Sequence, residues 1–415
     1  MKILQVNKFL YPKGGAEIVC LDLSEQLKNA GHEVFHFGMA DTRNTVGEDT
    51  DCFPSEVDYH SHRSLGRKVG EGLRTIYGRE AKRGFAKLLD RRRPDLIHAH
   101  NIYHQLTPSI LEPARERDIP VMLTLHDYKL VCPVYTFLRD GQVCEECLHK
   151  GPEPIIANRC KGGSLAESAV LWAEDRLHRL LGSYEKGVSL YTSPSRFLRQ
   201  KMIEGRLDAD DIVHLPNALP FSRETLELPY RSPGSGRPEL LWVGRMSYEK
   251  GLATLLKALA RSECDLKLLL AGDGPEEASL RALADNLRLG DRVEFLGRVP
   301  RDEVRDLILR THGTVLPSEW FENAPLSLLE SLALGRAVIG SEMGGIPEML
   351  ENETTGWLYP AGNVDALAAL LGRWANLGEE RELCGRAAYD FARVRHHPEQ
   401  VLETTLKLYR RLLGK

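Results

Sequence analysis

The sequence predicts an α/β protein built from two doubly wound parallel sheets joined by a short linker. Three observations point there. Short apolar runs of strand length alternate with segments of helical periodicity, the pattern that parallel strands with crossover helices require. The alternation stops and restarts around LPYRSPGSGRPE (228–239), whose Pro, Gly and Ser content is that of a linker. The chain has 415 residues, enough for a core in each half. The expected domains are 1–225 and 239–390, with a linker at 226–238. Final helices at 391–415 (398–413 the last of them) are expected to return to the first domain.

In the first half, KILQV (2–6) is the opening strand and a Gly loop follows it. Residues 16–30 carry Ile18, Leu21, Leu23 and Leu27 at helical spacing, and 33–37 form the second strand. DLIH (95–98) and VMLTL (121–125) read as short buried strands, and 189–192 and 212–215 close the series. The second half restarts with LLWVG (240–244), LKLLLAG (266–272), VEFLG (293–297), GTVLPS (313–318) and AVIG (337–340). Helices are expected between them at 252–260, 276–287, 301–310 and 326–334. The chain has no short repeat, which argues against a solenoid.

Composition narrows the function classes. Hydrophobic residues are 42% and charged residues 27%, the balance of a protein with a real core. The formal net charge is −4, so nucleic-acid binding by bulk charge is not expected. No uncharged apolar run reaches the ~18 residues of a membrane span. The start reads as strand and loop instead of a signal peptide, so a cytoplasmic product is expected, with its 8 cysteines reduced or metal-bound.

Ligands of doubly wound sheets bind beyond the C-terminal ends of the strands. Those ends carry Gly14 and Gly15, His126, Gly244 and Arg245, Gly272 to Gly274, and Ser318 to Glu322. In ENAPLSLLE, Glu322 and Glu330 are separated by seven residues. Pro325 suits the first turn of the helix between them. The amides of Asn323, Ala324 and Leu326, on either side of Pro325, then mark a helix N-terminus suited to an anion or hydroxyl. A carboxylate in such a site can accept both hydroxyls of a ribose. Arg245 and Lys250 in VGRMSYEKG sit where a strand delivers two cations to a helix start, an arrangement suited to a diphosphate. GDGP (272–275) and GGIPE (344–348) end further strands.

In this order the motifs resemble a known family: the retaining glycosyltransferases of family 4, the "glycosyl transferases group 1" class with the GT-B fold of two Rossmann-like domains around a cleft. The resemblance rests on GGAE (14–17), HAHN (98–101), TLHD (124–127), LPNA (215–218), VGR…EKG, AGDGP (271–275), the two glutamates and GGIPE. It implies that Arg245 and Lys250 hold the donor diphosphate and steady the charge of its departure. It implies that Glu330 holds the ribose, with Gly244 and Gly274 in the donor site. Glu322 and the amides at 323–326 face the donor sugar. Gly15 brings backbone close to phosphate or acceptor, and His126 sits near the reacting centre. His98 and His100 read as packing or loop residues. The expected donor is a UDP- or GDP-sugar and the acceptor a glycan or lipid-linked molecule, as in cell-surface polysaccharide or glycoconjugate synthesis. No DxD-like motif stands at a matching strand end, so catalysis is expected to need no metal or other cofactor.

The two glutamates do not suit a double displacement. That mechanism places its carboxyls ~5–5.5 Å apart, whereas eight helical residues span ~12 Å at 1.5 Å each. Retention by attack on the face the diphosphate leaves is the reading the resemblance implies. A sugar-nucleotide epimerase, a phosphorylase and a silent nucleotide-sugar-binding subunit are the rivals.

Two features fall outside the common pattern. Cys132, Cys144, Cys147 and Cys160 follow the spacing C-x11-C-x2-C-x12-C, which suits a structural tetrahedral Zn²⁺. Free thiols, a redox pair or an iron–sulfur cluster are the alternatives. Cys20, Cys52, Cys264 and Cys384 read as ordinary residues. The segment 63–93 is strongly basic and broken-amphipathic. It suits either an anionic membrane surface, making the protein peripheral, or packing on its own domain.

Overall fold

The computed structural model describes residues 1–56 and 65–414, apart from the side chains at 65–69 and 223. It divides into two compact units. The first is Met1–Arg139, Cys144–Ala218 and Glu399–Lys415; the second is Asp140–Val143 and Leu219–Pro398.

The first unit is built on a six-stranded sheet. Its strands are β1 (Lys2–Val6), β2 (Glu33–Phe37), β3 (Leu96–Ala99), β4 (Val121–Thr124), β7 (Leu190–Ser193) and β8 (Ile212–His214); β5 (Leu138–Arg139) and β6 (Gln142–Val143) form a separate two-stranded ribbon. The order is β2-β1-β3-β4-β7-β8, all parallel. One face holds Ile3, Val34, Leu96, Met122 and Leu190, one inward residue from each of five strands. The last helix, Pro398–Leu412, covers that face with Leu402, Leu406, Leu408, Tyr409 and Leu412.

The second unit repeats the design with β9 (Glu239–Val243), β10 (Lys267–Ala271), β11 (Val293–Gly297), β12 (Gly313–Leu316), β13 (Val338–Ser341) and β14 (Gly356–Tyr359). Their order is β11-β10-β9-β12-β13-β14, again parallel. Alternation along the strands builds both cores. Leu240, Trp242, Leu268 and Leu270 enter one layer, while Leu241, Leu269 and Ala271 enter the layer on the opposite face. Each such side chain taken fully from water contributes about 1.5–3 kcal/mol.

The GT-B architecture of two Rossmann-like domains is thus present. Expected bounds move by a residue or two: β3 runs from Leu96 to Ala99 and β12 ends at Leu316. Pro325 is the N-cap of the helix Leu326–Ala333, not a residue of its first turn; its ψ of 123° keeps it extended. In each sheet the strand order reverses once, between β1 and β3 and between β9 and β12, and a crevice opens beyond the strand ends at such a point.

Candidate functional site

In the second unit the reversal point gathers the expected donor residues. Beyond β9 come Gly244, Arg245 and a turn, Tyr248–Lys250, that leads into helix Leu252–Arg261. Beyond β12 come Ser318 to Glu322 and helix Leu326–Ala333. The amide of Glu319 donates to the carbonyl of Glu249 at 2.8 Å, tying the two loops together. Lys250 Nζ then meets Glu322 Oε1 at 2.7 Å, and Ser318 Oγ donates to the same oxygen at 2.7 Å. The ammonium also lies 5.0 Å from the centre of the Trp320 ring. Burial alone would raise the Glu322 carboxyl. The Lys250 charge and the hydrogen bonds from Lys250 and Ser318 hold it below the usual carboxylate range.

Glycines fix this geometry. The amide of Gly345 donates to the Glu322 carbonyl at 2.7 Å. Gly344 has φ +60°, and a Cβ there would lie 2.2 Å from that same carbonyl oxygen. Gly274 seats the other side: a Cβ on it would lie 2.3 Å from the carbonyl oxygen of Met246. The Gly244 amide donates to Ala271, pairing the ends of β9 and β10. Arg245 is exposed, and among the described residues its side chain has neither an ion pair nor a hydrogen bond. Asn323, Ala324, Pro325 and Leu326 are half-buried before the helix. Glu330 stands on that helix and lines a pocket of about 350 Å³ with Phe221, Thr225, Arg301 and Arg305.

In the first unit, Gly15 opens helix Gly15–Asn29 and is exposed, with Gly14 as an extended N-cap. His126 follows β4 and is half-buried. Its Nε2 lies 2.9 Å from Nδ1 of His100, whose Nε2 lies 3.1 Å from Oε1 of Gln5. His98 stacks on His100 at 4.4 Å and bridges the Tyr409 hydroxyl (2.6 Å) and Thr124 Oγ1 (2.7 Å). Burial pushes His126 down to about 4, aided by the charge of Lys8, and pushes His98 down to about 3. It also takes His100 well below the ordinary imidazole value. All three rings are therefore neutral at pH 7. His98 and His100 are buried side chains, but His100 is also bonded to His126, a link the sequence reading missed. The i, i+2 spacing in HAHN was its signal, since it puts both rings on one face of the sheet.

Sequence reading also missed the polar group around His126. Asp127 accepts hydrogen bonds from the Tyr103 hydroxyl and the Lys129 amide, and burial pushes its carboxyl up to about 6. Lys8 Nζ lies 4.5 Å from the Tyr103 ring centre, and burial lowers its pKa. Lys129 pairs with Glu174 at 2.6 Å, both fully inside.

The four-thiolate zinc site is not found. Among the described residues no group of three or more His, Cys, Asp or Glu is placed to hold a metal ion. Among the described residues Cys132, Cys144, Cys147 and Cys160 form no disulfide. They are near enough to affect one another: burial first, then the neighbouring thiols Cys132, Cys160 and Cys144, push Cys147 up to about 12. Other bonds hold this segment. Arg139 pairs with Glu146, Glu145 with Lys201, and Glu174 with Lys129. The sequence reading counted ligand types and could not see these pairs.

In the basic segment, Arg63 and the side chains of Leu65, Arg67, Lys68 and Val69 lie outside the described residues. Much of the remaining charge is answered locally. Arg74 pairs with Glu80, Lys82 with Glu112, Lys87 with Asp51, and Arg91 and Arg92 with Asp49. No helix among the described residues is long and apolar enough to cross a membrane.

Comparison with known proteins places this arrangement. The N-acetyl-alpha-D-glucosaminyl L-malate synthase of Bacillus anthracis is 26% identical over 88% of this chain and 86% of its own length. The 2-deoxystreptamine N-acetyl-D-glucosaminyltransferase of Streptomyces fradiae is 29% identical over 58% of this chain and 61% of its own. Among solved structures, sucrose-phosphate synthase from Thermosynechococcus elongatus has a TM-score of 0.70 at 20% identity, covering 100% of this chain and 99% of its own. Anabaena HepE in complex with UDP has 0.68 at 19%, covering 98% and 99%. The family model "Glycosyl transferases group 1" matches residues 231–391 and "Glycosyltransferase Family 4" matches residues 13–223. The chain belongs to glycosyltransferase family 4.

Proposed function

We propose that this glycosyltransferase is a retaining, metal-independent hexosyltransferase. It moves a sugar from a UDP- or GDP-sugar to a glycan or lipid-linked acceptor. The observation that carries the reading is the Lys250–Glu322 pair at the reversal point of the second sheet, with Arg245 left without a partner beside it. Two cations at a strand end suit a diphosphate, and they supply the positive charge that a divalent ion gives elsewhere. Glu330, lining the adjoining pocket, is the ribose ligand. His126, just beyond β4, acts in the sugar transfer.

Glu322 is engaged by Lys250 and Ser318, which disfavours it as a nucleophile. In the proposed step the bond from the anomeric carbon to the diphosphate oxygen breaks. The acceptor oxygen bonds to that carbon on the same face. The acceptor proton passes to the departing diphosphate, and Arg245 and Lys250 steady its charge. The relatives include two enzymes named for N-acetylglucosaminyl transfer and an amylovoran biosynthesis glycosyltransferase of Erwinia amylovora, and Anabaena HepE has been solved in complex with UDP-glucose. These names favour a UDP-sugar donor and a role in polysaccharide or glycoconjugate synthesis. A peripheral position on the inner membrane face remains a separate proposal, resting on charges such as Arg79 and Arg93.

The test is a thermal-shift panel of UDP-, GDP-, ADP- and dTDP-sugars followed by assay of nucleoside diphosphate release. One donor is expected to raise the melting temperature as a ligand of the folded state does. It is also expected to be slowly hydrolysed without acceptor. Stabilisation with no release, even with added glycan acceptors, would favour the silent binding subunit. No stabilisation by any of them would overturn the reading.

A further inference from the structure

We propose that Gln5 and His100 are positioning residues that fix the tautomer of His126, leaving its Nδ1 bare. The inference rests on the proposed role of His126 in sugar transfer and adds what that ring can do there.

The proton count runs along three side chains. Gln5 lies on β1 and is wholly buried, as is His100 just beyond β3. The neighbouring strands β1 and β3 set them side by side, with Gln5 opposite His98. The Oε1 of Gln5 can only accept, so His100 Nε2, 3.1 Å away, must carry hydrogen. A neutral imidazole has one N–H, so Nδ1 of His100 is bare and accepts. Its partner is Nε2 of His126 at 2.9 Å, which must then be protonated. Nδ1 of His126 is left as a lone pair. It can receive a hydrogen bond from a sugar hydroxyl but cannot donate one to a phosphate or ring oxygen. The ring centres of His100 and His126 lie 5.2 Å apart with 22° between planes, the near-coplanar arrangement an in-plane N–H···N bond needs, so the same contact also fixes the orientation of the ring. Turning the Gln5 amide over would reverse every donor in the chain and leave His126 with an Nδ1–H.

The experiment is ¹⁵N NMR of the full chain labelled at histidine, with His126 assigned by loss of its signals in H126N. At pH 7 the expected state of His126 is neutral, with Nε2 protonated and Nδ1 bare. An Nδ1–H tautomer or a cationic ring would overturn the proposal. In Q5L and in H100F, which keeps an aromatic ring in the stack, the His126 signals are expected to shift toward a mixture of tautomers. Turnover should fall about tenfold while KM for the donor stays within about twofold; a tautomer unchanged in a folded variant would also overturn it. If neither variant folds, the unsubstituted spectrum decides. Should the tautomer be as stated while no nucleotide-sugar moves the Nδ1 signal, the transfer reading of His126 fails and this one stands.

Discussion

Lys250 and Glu322 come from loops 72 positions apart, yet they form an ion pair at 2.7 Å. Each was visible as a residue type at a strand end, but their pairing was not, because sequence does not show which loops a sheet brings together. The same limit hid His100 behind His126. Side-chain roles here follow from partners. Lys250→Ala and Arg245→Ala are expected to lower turnover by about 2–4 kcal/mol, on the order of 100-fold. Glu330→Ala should act chiefly on donor binding, raising KM by about 1.5–3 kcal/mol for a lost charged hydrogen bond. Steady-state kinetics with the donor found by the panel separates the two. An unchanged kcat in both basic variants would remove them from the phosphate site.

At the scale of elements, the strands were the legible part. A parallel strand buried on both faces must be apolar throughout, and LKLLLAG or LLWVG has few other uses. What the sequence reading missed were elements whose signal is small. β14 is only GWLY. Helix Leu165–Leu181 follows the cysteine-rich stretch and was not assigned, although Ser164 caps it by accepting from the Glu167 amide. Arg336 shows how elements are locked without a carboxylate. It is fully buried and donates to the carbonyls of Ile308, Leu309 and Thr311 at the end of helix Arg301–Arg310, and to Arg231 and Leu334. Arg336→Lys keeps the charge but loses the fork, so a loss of about 3 kcal/mol or more is expected in urea unfolding.

The buried histidines of the first unit set a pH dependence at this scale. His36, His126 and His178 are pushed down to about 4 and His98 to about 3, from 6.5. Between those values the unfolded chain binds more protons. Their stabilising contribution is therefore whole above pH 6.5 and is lost as pH falls through 4 toward 3. Asp127, raised to about 6, and Glu174, also raised by burial, work in the opposite sense but are outnumbered by the four histidines, with His100 and His104 lowered as well. The urea midpoint of the first unit, followed by hydrogen exchange of β1 and β3, is expected to fall steadily from pH 6.5 to 4. A flat profile there would show that these rings are not buried neutral.

At the scale of the molecule, the two units differ in how the chain makes them. Apart from Asp140–Val143, the second is one continuous run, Leu219–Pro398. The first needs the last helix, which brings five apolar side chains to its sheet. Deleting residues 399–415 removes contacts worth about 1.5–3 kcal/mol for each side chain it fully uncovers. That is comparable with the ~5–15 kcal/mol that holds a domain folded. The truncated chain is expected to lose protease resistance within residues 1–218 while 219–398 survives as a stable fragment. Equal resistance of both parts would contradict this.

The tie between His98 and Tyr409 spans 311 positions. A ribosome adding ~5–20 residues per second needs roughly 15–60 s to make that stretch. The amino-terminal sheet must therefore wait, with one apolar face uncovered, until the helix Pro398–Leu412 has been made. The later sheet can close first. In a growing chain the order of completion is the reverse of the order of synthesis, and the nascent first half is the natural client of a chaperone.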